Sequence, residues 1–122
     1  VLHHVPNPPK VVTEMIRVSR RAIFISDCNR FGQGHFAARL IKIAAWKMGI
    51  WKPIDLVRTR GKGYTISKED GLAYSYSVYD SYNQLADWAD QMHVIPTAAM
   101  TANSWLHPLA TCSHVLLVAT KD

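Results

Sequence analysis

The sequence predicts an α/β protein: a sheet with parallel strands joined by a helical crossover, ending in an antiparallel hairpin. Three observations carry this. Over the first 26 residues, strand-length apolar runs flank a helical stripe, which reads as strand, helix, strand and a right-handed parallel crossover. Two late apolar runs, at 92–97 and 114–120, have no helix between them and predict an antiparallel pair. The 122 residues are 48% hydrophobic, which makes one domain with its own core the sensible prior.

Each element has its own justification. VLHHV (1–5) reads as the tail of a buried strand, stopped by Asn7-Pro8-Pro9. Asn7 is a good helix N-cap, and Pro8 takes the first helical position, where its missing N–H is not needed. Val12, Met15, Ile16 and Ser19 share a helical face. Arg17, Arg20 and Arg21 bring positive charge to the negative end of that helix. AIFIS (22–26) is nearly continuous in apolar residues, which predicts a strand covered on both faces. Residues 35–48 read as a helix with a stripe of Phe36, Leu40, Ile43, Ala44 and Met48, stopped by Gly49. Residues 50–73 are irregular, with Gly61, Gly63 and Gly71 marking loops. Tyr74, Tyr76 and Val78 alternate with Ser75 and Ser77, as in a short strand or an extended lining. Ser81-x-x-Gln84 is a capping-box pattern ahead of Leu85, Trp88 and Ala89. Residues 98–112 form a long connection, and HVLLVAT (114–120) is the clearest strand of the chain.

Formal net charge is +5, enough for weak affinity to anions. The basic residues are scattered, and the densest cluster, Arg58-Thr-Arg60-Gly-Lys62, reads first as a solvated loop. A nucleic-acid partner is not expected. No run reaches the roughly 18 apolar residues of a spanning helix, and no membrane partner is expected. The first residues lack the basic start and cleavage site of a signal peptide. They also lack an initiator Met, and the chain opens inside an apolar run, as if cut from something longer. Cys28 and Cys112 make neither a disulfide framework nor a zinc site. A reducing, cytoplasmic location is the default. His35, His93, His107 and His114 lack ligand spacing, so no metal is assigned.

FISDCNRFGQGHFA (24–37) contains a literal GxGxxA at 32–37. A dinucleotide loop needs its first glycine directly after the strand, where helix N–H groups can meet a pyrophosphate. Here five residues intervene, and Asp27 puts negative charge where phosphate would approach. Gly32 and Gly34 read instead as residues that turn a loop into a helix.

Several stretches together point to one family. VLHHVPNPPKVVTEMIRVSR resembles the segment after the fourth strand of class I S-adenosylmethionine-dependent methyltransferases, particularly the type 11 family. RAIFISDCNRFGQG is similar to the fifth strand and its substrate-side loop. DGLAYSYSVYDSYNQLADWA resembles the variable insertion and the helix before the last hairpin. MHVIPT and HVLLVATK resemble that hairpin. The order of elements covers the whole chain. The resemblance therefore implies a partial Rossmann-like methyltransferase sheet over 1–122, the C-terminal half of the domain. The glycine-rich cofactor loop and the ribose-binding acid of the N-terminal half are missing.

The implied activity is methyl transfer from S-adenosyl-L-methionine to an unidentified, small-molecule acceptor by the parent enzyme, with the fragment inactive alone. Such a displacement mostly needs alignment and exclusion of water. A general base enters only when the acceptor must lose a proton. The resemblance places His3 and His4 at the cofactor, and Asp27, Asn29 and Arg30 at the substrate. Adjacent histidines in a strand point to opposite faces, so a structural role for at least one stays open. Asp27 and Asn29 serve equally well as loop or helix caps, and Arg30 as an exposed loop residue. Tyr74, Tyr76, Tyr79 and Tyr82 suit either packing or an acceptor pocket. The alternative to catalysis is an interaction module that self-associates through an exposed sheet edge or docks to a missing half. If the last strand lies antiparallel to 22–26, Cys28 and Cys112 become neighbouring free thiols.

Overall fold

The structure, a computed structural model, describes residues 2–29, 34–69, 71–98 and 112–122. A 3-10 turn, Leu2–His4, precedes helix α1 (Pro8–Val18) and strand β1 (Ala22–Cys28). Helices α2 (Phe36–Lys47) and α3 (Trp51–Arg58) follow, then a hairpin of β2 (Tyr64–Ser67) and β3 (Gly71–Tyr74). Helix α4 (Val78–Ala86) leads into β4 (Gln91–Pro96) and β5 (His114–Thr120). Arg30, Gly32 and most of the 98–112 connection lie outside the described residues.

The sheet corrects the expected fold class. Its order is β1-β5-β4, and β5 runs antiparallel to both neighbours. No parallel pair, and so no partial Rossmann-like sheet, exists among the described residues. The cause lies at residues 2–5. Their backbone does not extend into a ladder: the N–H groups of Leu2 and His3 donate to the Asp27 carboxylate, and Val5 N–H closes back on Leu2 at 3.0 Å. With the prolines following at once, the would-be first strand becomes a turn. The antiparallel ending was read correctly, and its partner across the sheet is β1.

The alternation of β1 sets the core. Ile23, Ile25 and Asp27 point inward, beside Ala119, Leu117 and Val115 of β5. Helices α1 and α4 cover this face with Val12, Val78 and Leu85, all fully buried. Gln84 ties the two helices, its amide donating to Thr13 Oγ1 at 2.8 Å and to the Pro9 carbonyl at 3.2 Å. The other face of the sheet is open at Phe24, 60% exposed. The apolar run 22–26 is therefore covered on one face, not two.

Caps explain where helices begin. Asn7 accepts from Lys10 N–H, with Pro8 in the first turn as expected. The cap of α4 lies four residues before the expected one. Ser77 and Asp80 form the reciprocal capping box there, the Ser77 N–H donating to Asp80 at 2.9 Å. Ser81 instead bonds the Tyr76 hydroxyl at 2.8 Å. Of the stretch read as a short strand or an extended lining, only Tyr74 lies in a strand, and Val78 begins α4. Gly49 ends its helix with φ +74, a conformation L side chains resist. No helix among the described residues is long and apolar enough to cross a membrane.

Candidate functional site

The inward row of β1 ends on a charge. Asp27 is 5% exposed, and a buried carboxylate needs donors on both oxygens. The 3-10 turn supplies them. Leu2 N–H and His3 N–H reach Oδ2 at 2.5 and 3.3 Å. The protonated Nδ1 of His3 and the Cys28 N–H, at 2.7 Å, reach Oδ1. Burial by itself would raise the Asp27 pKa, but the donors and positive charge around it outweigh burial. The carboxyl is held well below the ordinary carboxylate range.

The pairing fixes the His3 ring. With Nδ1 on Asp27, proton chemistry at this imidazole runs through Nε2. The side chain of His3 is 18% exposed, against 1% for Asp27, so the ring reaches solvent while its anchor does not. His4 stands beside it, ring centroids 3.9 Å apart, and its Nδ1 donates to the Leu72 carbonyl at 2.7 Å. That bond ties the N-terminal turn to the β2–β3 hairpin.

Two further groups complete the neighbourhood. The Cys28 thiol is pushed up to about 11 by burial and then by the Asp27 charge, so it remains protonated. Its Sγ lies 3.8 Å from the Tyr76 carbonyl. Tyr76 is itself buried, and loss of solvent pushes its phenol above the usual range even though Ser81 bonds it. Tyr76 also lines a cavity of about 680 Å³, walled by Pro8, Trp46, Trp51 and Leu56 with Lys52, Asp55 and Asp80 among its lining; His3 and Asp27 do not line it. Asp55 is 8% exposed and accepts from Arg58 at 2.8 Å. A cavity of this size and apolar character suits a small organic molecule.

His3, Asp27 and Cys28 bring imidazole, carboxylate and thiol atoms within 4.8 Å of one another. That composition can bind a metal, but each Asp27 oxygen already accepts two hydrogen bonds. A metal would have to displace backbone donors that burial makes hard to do without. The arrangement suits proton transfer better.

The structure therefore joins His3 and Asp27, which the sequence placed at separate ligands. Asn29 takes a different place. It is wholly buried, its amide donating to the Cys112 carbonyl at 3.0 Å and its carbonyl accepting from Ser77 Oγ at 3.0 Å. It links β1, the start of β5 and the cap of α4. Arg30 lies outside the described residues. Cys28 and Cys112 are free thiols; Cys28 pairs with His114 across the sheet, and Cys112 lies two residues before β5. The tyrosines divide: Tyr76 lines the cavity, Tyr79 packs edge-on to Trp46 at 4.5 Å, and Tyr74 meets Tyr64 across the hairpin at 6.0 Å. Sequence reasoning missed Trp46 and Trp51. Their signal was two tryptophans flanking the Gly49 helix stop.

Comparison with known protein families, with curated proteins and with solved structures finds no match to this chain.

Proposed function

We propose that this chain forms the acceptor side of a S-adenosylmethionine-dependent methyltransferase, with His3 and Asp27 taking the proton of the methyl acceptor. One observation carries the reading. A segment that resembles the cofactor side of that family and one that resembles its substrate side, 24 residues apart in the chain, meet in a part-buried Asp–His pair. In such a pair the carboxylate fixes the ring tautomer and stabilises the imidazolium that forms. Nε2 is the atom that accepts the proton. Tyr76, whose carbonyl meets the Cys28 thiol, connects the pair to a cavity with apolar walls that hold the acceptor and exclude water.

The described residues do not fit the cofactor itself. The segment expected to feed a cofactor site as a strand is a 3-10 turn, and no strand followed directly by a glycine-rich loop is present among them. No step through the cofactor is assigned to these residues. The test is transfer of a labelled methyl group to a panel of small hydroxyl and amine acceptors, using protein from the complete reading frame. Transfer is expected, and His3→Asn lowers it by about 10²- to 10⁴-fold. No transfer to any acceptor, or transfer that His3→Asn leaves unchanged, sinks the reading. Calorimetry with the 122-residue chain should detect no micromolar cofactor binding.

Exposed apolar residues on the outer strands favour a second reading, a docking module without catalysis. Phe24 and Ile95, 60% and 46% exposed, lie on the face away from α1 and α4, and β1 and β4 are its outer strands. A self-associating module gives a concentration-dependent mass in light scattering. A monomer at all concentrations removes self-association.

A further inference from the structure

Helix α2 is turned the wrong way for a core helix. The stripe Phe36, Leu40, Met48 faces solvent, 45%, 51% and 67% exposed, and Ile41 beside it is 68% exposed. The only buried side chain of the helix is Ala45. Helix α3 continues the surface with Ile54 and Val57, the latter 81% exposed. An apolar surface of this extent marks an interaction site.

Charge identifies what covers it. Residues 35–62 hold seven lysines and arginines and one acidic residue, whereas the rest of the chain holds seven against eight. The positive excess of the whole protein thus sits on this helix pair and the loop that follows α3. Lys47, Lys52, Arg60 and Lys62 are exposed there. A second copy docking by the same surface would set these charges against each other, which opposes self-association. Exposed apolar residues and exposed cations on one segment match an anionic bilayer: the apolar side chains enter the acyl boundary while lysine and arginine meet the headgroups. A helix lying in the interface needs no spanning length, so the lack of a membrane-crossing helix does not bear on it.

We propose that the α2–α3 surface docks the protein on anionic lipid membranes, with Phe36, Leu40, Ile41 and Met48 inserted and Lys47 and Lys52 at the headgroups. The test is co-sedimentation of the chain with vesicles of phosphatidylcholine alone and of phosphatidylcholine mixed with phosphatidylserine. Binding is expected to the mixed vesicles and to fall with added salt. Lys47→Gln with Lys52→Gln weakens it by about thirtyfold. Ile41→Asp with Met48→Asp abolishes it. Both of those positions are exposed, and an unchanged circular dichroism spectrum shows that the fold persists. Three results overturn the proposal: no binding to the mixed vesicles, binding that survives the aspartate pair, or a stable dimer that the aspartate pair splits.

Discussion

Asp27 accepts from Leu2, His3 and Cys28 and has almost no contact with water. Replacing it by Asn keeps the shape but sets an NH₂ group against buried donors. Asp27→Asn is expected to lose about 3 kcal/mol in urea denaturation at neutral pH. The pH dependence has a definite sign. The folded carboxyl titrates below its unfolded value of about 3.9, so its contribution is fully present above that value and is lost as pH falls toward the folded pKa. The gap between wild type and Asp27→Asn should hold from neutrality to about pH 4 and narrow below it. A gap unchanged at lower pH would show that Asp27 is not ionised in the fold. Cys28 behaves oppositely. Its thiol titrates at about 11 in the fold, so alkylation by iodoacetamide at pH 8 should be far slower than for the denatured chain. Equal rates would refute the burial that raises it.

At the scale of elements, the start of α4 does more than begin a helix. Ser77 caps it, pairs with Asp80 and donates to the buried Asn29, which in turn holds the approach to β5. Ser77→Ala removes the cap and leaves the Asn29 carbonyl one donor short, an expected loss of about 2 kcal/mol. Asn7→Ala at the exposed cap of α1 loses about 1 kcal/mol. Chemical denaturation of the two variants gives the order, and the reverse order would mean that the Ser77–Asn29 link contributes nothing. The sequence showed that a serine-based cap preceded Leu85 but placed it at Ser81. Both S-x-x-D and S-x-x-Q fit the pattern locally. Tyr76 decided between them, because its buried hydroxyl needs Ser81 as a partner.

For the whole molecule, one sheet face with α1 and α4 forms the core; α2 joins it through Trp46 against Tyr79, and the β2–β3 hairpin through the His4–Leu72 bond. Leu117, fully buried on the central strand, should lose about 3 kcal/mol on truncation to Ala. Ile66, 74% exposed on the hairpin, should change by less than about 0.5 kcal/mol. Guanidinium midpoints for the two variants check this division, and a large effect at Ile66 would reveal a second core. The sequence by itself determined the elements with strong local signals: α1 through Asn7 and Pro8, the end of α2 through Gly49, and β5 through its unbroken apolar run. It also named His3 and Asp27. Only the tertiary structure decided that these two meet, that residues 2–5 turn instead of pairing, and that the apolar stripe of α2 faces outward. The physical reason is common to all three. Periodicity records which side chains share a face, but what that face meets depends on partners distant in the chain. A buried carboxylate at the end of β1 captured backbone donors that a parallel ladder would otherwise have used.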